Sequence, residues 1–216
     1  MSTSLRLDLK PHALRGKMII FCGADGSGKS TLIDFAFRYV TGLGKTAVNV
    51  ELLDDLIKQS RAFREFARDP LAAEDVDLLA LSLVCAGNRL QNVRTLVLDE
   101  LAAGSWVFCD RYIFTTWAEF LALTSDVTDR EVLRAVLQLF PKPDAGFLPY
   151  ADVDVCLGRV RKREEEATMV LGRDRYTNLI RTYRAVAAEN DLVQICTEES
   201  QSECERVIAA HLERIN

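Results

Sequence analysis

Apolar positions along this chain fall into blocks, and the period of the pattern changes from one block to the next. Residues 17–22 end in an unbroken run, Met18-Ile19-Ile20-Phe21-Cys22, as expected of a strand buried on both faces. Leu32, Ile33, Phe35, Ala36 and Tyr39 then recur at helical spacing. They predict a helix over 29–41, ended by Gly42 and Gly44, since glycine suits the left-handed cap position. A second strand is expected at 46–51. A charged helical segment follows at 54–68 and breaks at Asp69-Pro70. One long helix is expected over 72–103, carrying Leu78, Leu81, Leu90, Val93 and Val97 and stopped by Gly104.

The third strand, Trp106-Val107-Phe108-Cys109, runs into Asp110-Arg111-Tyr112. Helices are expected at 114–123 and 129–140, before Pro141 and Pro143 force a loop. A fourth strand at 145–151 is weakened by Pro149, which cannot donate to a ladder. Helices at 155–163 and 174–189, a last strand at 192–196 and an amphipathic helix at 200–215 complete the chain. Strands alternating with helices imply an α/β fold: a parallel sheet, doubly wound, with helices on both faces. Ligands of such sheets bind outside the carboxyl ends of the strands. The loop after the first strand and Asp110-Arg111 after the third should therefore meet there.

That loop carries the chemistry. Gly23-Ala24-Asp25-Gly26-Ser27-Gly28-Lys29-Ser30-Thr31 fits G-x-x-x-x-G-K-[ST], between an apolar strand and a helix. Its glycines permit the close turns that point backbone N–H groups inward as an anion cradle. Lys29 would reach the β- and γ-phosphates of a nucleotide, and the Ser30 hydroxyl would sit on Mg²⁺. Asp110, at the end of an apolar strand, is placed to order the same ion or its water shell. Arg111 next to it suits bidentate capture of a phosphate. A second basic group, Arg159, Arg161, Lys162, Arg163, Arg173 and Arg175, suggests an arginine-rich lid over about 160–176. The competing reading is a solvated helix with Arg161–Glu165 and Lys162–Glu166 pairs.

Composition narrows the setting. The chain has 216 residues, 49% of them apolar and 27% charged, enough for one domain with a full core. Residues 1–16 read as a polar lead-in. The net charge of -5 argues against a general nucleic-acid surface. No apolar run approaches the roughly 20 residues of a membrane span, and the first residues lack a secretory pattern, so a cytoplasmic protein is expected. The six cysteines, Cys22, Cys85, Cys109, Cys156, Cys196 and Cys204, contain no C-x-x-C pair. They read as small core hydrophobes in a reducing compartment.

The loop from Phe21 to Thr31 resembles the phosphate loop of thymidylate kinases, down to the acid at Asp25. Asn88-Arg89, Asp110-Arg111-Tyr112, Pro143-Asp144 and Arg181-Thr182-Tyr183 fall in the order of that family. The resemblance implies a five-stranded parallel sheet of P-loop NTPase type with a lid. It implies ATP with Mg²⁺ as donor, a nucleoside monophosphate as acceptor, and a possible homodimer. It would place Lys29 and Ser30 on ATP and Mg²⁺, and Asp25 near the acceptor sugar and phosphate. Arg111 would lie on the acceptor phosphate and Arg89 at the base edge. Because Gly26 and Ser27 stand where one branch of the family carries an arginine, the catalytic cation should come from Arg161, Arg163 or Arg173.

Three departures stand out. The family's Arg-Glu-Pro after the second strand is Val50-Glu51-Leu52 here, with Arg61 or Arg64 as the candidate substitute. The aromatics that bracket the base are replaced by Cys85 and Glu119, and Phe114 or Trp117 would have to restore a ring face. Glu119 is then expected to face an acceptor rich in donors, such as an amino-bearing base. The chain reads as an ATP-dependent kinase of nucleoside monophosphates with a rewritten base pocket. The alternatives are a kinase acting on another polar metabolite and a nucleotide-binding regulatory domain.

Overall fold

The computed structural model describes residues 4–68, 76–162 and 172–216. The first apolar run forms β1 (Lys17–Phe21). The remaining strands of the sheet are β2 (Ala47–Glu51), β3 (Trp106–Asp110), β4 (Ala145–Tyr150) and β5 (Val193–Cys196). All pairings are parallel, in the order β2-β3-β1-β4-β5. Successive residues of β1 go to opposite faces, and both faces are covered, so the run needs no polar alternation. Ile19 and Phe21 pack with α1 (Lys29–Gly42) and α10 (Gln201–Ile215) through Leu32, Ala36, Val40, Ile208 and Leu212. Met18 and Ile20 join the larger core on the other face. That core is built by α4 (Leu78–Asn92), α5 (Leu98–Ala103), α6 (Ile113–Leu123), α7 (Val127–Leu137) and α9 (Arg173–Glu189).

Pro149 lies within β4 without breaking it. Phe147 O accepts from Cys22 N on the β1 side, and Tyr150 O accepts from Thr197 N on the β5 side. Alternation turns Pro149 toward β1, beyond Phe147, the last β4 residue paired to β1. Its missing N–H therefore costs no ladder bond.

Boundaries differ from the pattern where caps decide them. Residues 72–75 of the expected long helix lie outside the described residues. Asp77 starts α4, accepting from Ala80 N at 2.7 Å. The helix is then interrupted by a π-helical turn, Val93–Val97, before α5. Asp126 likewise starts α7 two residues early, accepting from Asp129 N at 2.9 Å. The segment at 54–68 is two helices, α2 (Asp55–Lys58) and α3 (Arg61–Arg68). The lead-in is docked rather than loose. Leu7 is buried, and Leu5 O accepts from Trp117 Nε1 and Asn190 Nδ2, each at 3.0 Å. All six cysteines are unpaired, and five are buried, with Cys196 partly exposed. Among the described residues no helix is long and apolar enough to cross a membrane.

Candidate active site

The loop between β1 and α1 is shaped by its glycines and held from outside. Gly26 has φ 74°, and a Cβ there would lie 2.3 Å from the Cys156 carbonyl oxygen. Only glycine allows α8 (Val153–Arg161) to pack this close. Arg159 of α8 donates to Gly26 O at 3.1 Å and to Thr197 Oγ1 and O, both at 2.8 Å. Thr197 Oγ1 in turn donates to Ser27 O at 3.0 Å. The Tyr176 hydroxyl of α9 donates to Asp25 O.

Inside this frame the features of an anion site converge. Gly28 caps α1 in the left-handed conformation, with no side-chain cap and no acid in the first turn. The N–H groups and the positive end of the helix dipole are therefore left for an anion. The Ser27 hydroxyl is buried and has no partner among the described residues. Lys29 is buried, with Nζ 3.8 Å from Asp25 Oδ1. Burial, and then the charge of Arg111, lowers its pKa to about 8 against the opposite pull of Asp25 and Asp110.

Strand β3 delivers the second group. After Asp110 the backbone turns left-handed at Arg111, φ 65°, and Arg111 N donates to Phe21 O at 2.8 Å. The guanidinium meets the Asp25 carboxylate, lies 3.4 Å from Gly23 O, and has Nη1 3.7 Å from Glu119 Oε1. Burial works against its charge, but the carboxylates of Asp25, Glu119 and Asp110 together more than offset that. The Tyr183 hydroxyl donates to Glu119 Oε1 at 3.0 Å. Its pKa is pushed well up, first by burial and then by Glu119, so it stays a donor. On α4, Arg89 is buried and donates to Thr116 Oγ1 at 3.1 Å.

A cavity of about 530 Å³ connects these groups. Asp25, Ser30, Asp110, Arg111, Arg89 and Glu119 all line it. Ser30 and Asp110 are both exposed there, and they offer a hydroxyl and a carboxylate. Such a pair suits Mg²⁺, which draws its other ligands from water and phosphate. Among the described residues no cluster of three His, Cys, Asp or Glu could hold a metal by itself.

Several expected residues lie elsewhere. Cys85 is buried with Leu53 and Leu81 in a small apolar cluster behind the cavity wall. Phe114 and Trp117 are in the main core, so neither supplies a ring face to the cavity. Arg61 pairs with Glu65 on an exposed helix face, and neither it nor Arg64 lines the cavity. The cation from this segment at the cavity is Lys58, ion-paired with Glu51 and Asp55. Arg161 is exposed at the end of α8, and Thr31 is exposed on the first turn of α1. Arg173 forms a bidentate pair with Asp154, at 2.9 and 2.8 Å. Arg163 and residues 164–171 of the expected lid lie outside the described residues.

Phe63 and Phe66 of α3 also line the cavity, and sequence reasoning missed them. The signal was present: Ala62, Phe63, Phe66 and Ala67 share one helical face.

Comparison with known proteins adds an independent line. The family model described as thymidylate kinase matches residues 21–208. A thymidylate kinase of Chromohalobacter salexigens is 29% identical over 202 residues, covering 91% of this chain and 95% of that one. One from Prochlorococcus marinus is 23% identical over 207 residues, covering 94% and 98%. One from Vesicomyosocius okutanii is 32% identical over 176 residues, covering 77% and 81%.

Proposed function

The chain belongs to the thymidylate kinase family and is an ATP-dependent nucleoside monophosphate kinase, and from that premise we propose that its acceptor site is rewritten around Glu119. The observation that carries this reading is the single cavity that Asp25, Ser30, Asp110 and Arg111 share with Arg89 and Glu119.

The fit to Mg²⁺–ATP rests on the uncapped start of α1, the orphaned Ser27 hydroxyl and the tight turn at Gly26. Lys29 and the loop N–H groups would hold the triphosphate, and Ser30 and Asp110 the metal. When bound, the pair supplies the phosphoryl group and a cation that neutralises charge on it. The protein's own work is positioning. Arg111 binds the acceptor phosphate, and Asp25 and Glu119 hold its guanidinium in one orientation. An acceptor oxygen attacks phosphorus as the bond to the ADP oxygen breaks, and no covalent enzyme intermediate is needed. Bringing two polyanions into line and keeping their charge compensated supplies most of the acceleration. A cation among Arg161, Arg163 and Arg173 completes the charge balance from the lid.

Glu119 gives the acceptor end its selectivity. Tyr183 and Arg111 hold one carboxylate oxygen, and the carboxylate still faces the cavity, where it accepts from an amino-bearing base. The test is ADP release with dTMP and with adenine, cytosine and guanine monophosphates, for the wild type and Glu119→Gln. The ratio of amino-bearing acceptor to dTMP should fall about tenfold in the variant, as for a lost hydrogen bond to a charged group. An unchanged ratio contradicts the assignment, whatever happens to the absolute rate.

A further inference from the structure

Residues 5–8, ahead of β1, are bound to α6, α7 and the end of α9. Leu5 O accepts from two donors at once. One is Trp117 Nε1 of α6, and the other is Nδ2 of Asn190, the residue that ends α9, each at 3.0 Å. Asn190 Oδ1 accepts from Leu7 N at 2.7 Å, and Leu7 is buried. Asn190 is itself fixed to its helix, donating to Val186 O at 2.7 Å. Arg134 of α7 holds the next part of the segment, donating to Arg6 O at 3.1 Å and to Asp8 Oδ2 at 2.9 Å.

Helices α6 and α9 meet again at the site, where Tyr183 of α9 donates to Glu119 of α6 and Arg111 lies beside the same oxygen. At 3.6 residues per turn, Trp117 points about 160° away from Glu119, so Leu5 is gripped from the face of α6 opposite the cavity. Asn190 follows Tyr183 by about two turns, on the same side of α9. The two helices are thus joined twice, once through Leu5 and once through the Tyr183–Glu119 bond. Trp117 is fully buried. Without Leu5 O its N–H would be buried with no acceptor, and a turn of α6 that relieved this would carry Glu119 with it.

We propose that Trp117 and Asn190, clamped on Leu5, are positioning residues for the acceptor site. They set α6 against α9 and so keep Glu119 on Tyr183 and Arg111. Neither lines the cavity. The inference rests on the reading of Glu119 as the group that faces the acceptor, and adds what holds it there.

The experiment compares the full-length wild type with Trp117→Phe and Asn190→Ala, each alone and combined with Glu119→Gln, and with Arg134→Gln. It measures kcat and KM for the nucleoside monophosphate turned over fastest and for ATP, and the melting temperature. Trp117→Phe keeps a ring in the core and removes the N–H, and Asn190→Ala removes the other donor. Each should raise the acceptor KM about three- to tenfold, the scale of one hydrogen bond, with the ATP KM within about twofold of wild type. Arg134→Gln frees Arg6 and Asp8 but leaves both donors on Leu5 O. It should lower the melting temperature and keep the acceptor KM within about twofold. On the Glu119→Gln background neither clamp variant should change the acceptor KM further, because the clamp acts through that side chain.

Unchanged acceptor KM in both single variants overturns the clamp. So does an equal rise in Arg134→Gln, or a clamp effect that persists in full on Glu119→Gln. If Trp117→Phe does not fold, Asn190→Ala alone and on Glu119→Gln still decides. The parent readings fail separately. No wild-type turnover on any nucleoside monophosphate removes the kinase, and an unchanged acceptor ratio in Glu119→Gln alone removes its selectivity role. Turnover with indifferent clamp variants removes only the clamp.

Discussion

The two ends of the cavity are built in different ways. At the phosphate loop the backbone itself is the working part, and other elements lock it: Arg159 and Thr197 from one side, Tyr176 from another, Arg111 across Asp25. At the other end part of the wall is α3, which like α2 is a short helix with no buried residue, beside Arg89 of α4 and Glu119 of α6. The two short helices are held by a small apolar cluster and by Lys58 on Glu51. A part that recognises the phosphates common to every substrate can be rigid and costly to alter. A part that recognises the variable half of the acceptor can change with little loss of stability. Mutations should therefore sort by location, with stability lost at the loop and selectivity lost at Glu119.

The largest expected effect is on the loop cation. Lys29→Ala removes a buried charge aimed at the transferred group, and turnover in an ADP-release assay should drop about 10²–10³-fold. Arg111→Lys keeps the charge and loses the planar fork that meets Asp25. The acceptor kcat/KM should fall about 10–100-fold, with the ATP KM nearly unchanged. Gly26→Ala tests the stability side directly. It strains φ 74° and drives a Cβ against the Cys156 carbonyl, so a loss of about 1–3 kcal/mol is expected. By melting temperature that is several degrees, while Phe63→Leu should move it by about a degree. Equal losses at the two sites would break the comparison.

The smallest effect is in protons. Lys29 has a pKa of about 8 in the folded chain against 10.5 unperturbed. Between those values the unfolded chain holds a proton the folded one has released. The contribution of Lys29 to stability therefore rises with pH across that window. A polyphosphate at the loop favours the charged ammonium, so nucleotide binding near pH 8 should take up about half a proton. Calorimetry in two buffers of different ionisation enthalpy measures it. The uptake should vanish in Lys29→Met, and enthalpies that do not depend on the buffer would contradict the assignment.

The sheet and its helices were legible because buried parallel strands and amphipathic helices leave unlike periods. The limits appeared where a local bond overrides the period. Asp77 and Asp126 set helix starts, and the break between α2 and α3 fell inside a segment read as continuous. In the site, the loop residues were legible because G-x-x-x-x-G-K-[ST] follows from backbone geometry. Arg111 was legible from its place beside Asp110 at the end of an apolar strand, and Glu119 from family order. Phe63, Phe66 and Lys58 were not, because which face of a short helix looks into a cavity depends on how that helix is docked. Phe114 and Trp117 show the converse: aromatic residues near the site in sequence are spent on the core, Trp117 tying α6 to Leu5.

The cysteines give the molecule a chemical profile of its own. Burial pushes Cys22, directly behind the phosphate loop, to a pKa of about 11 and Cys109 to about 12. At neutral pH their thiolate fractions are on the order of one in ten thousand or less. Alkylating reagents should leave the loop intact for long exposures. Cys196, at the end of β5, is the one cysteine that is not buried, so such reagents should reach it first. It precedes Thr197, whose hydroxyl binds the loop at Ser27. A fluorophore placed there in one labelling step, without cysteine-free engineering, would sit next to the residue that braces the phosphate loop from outside.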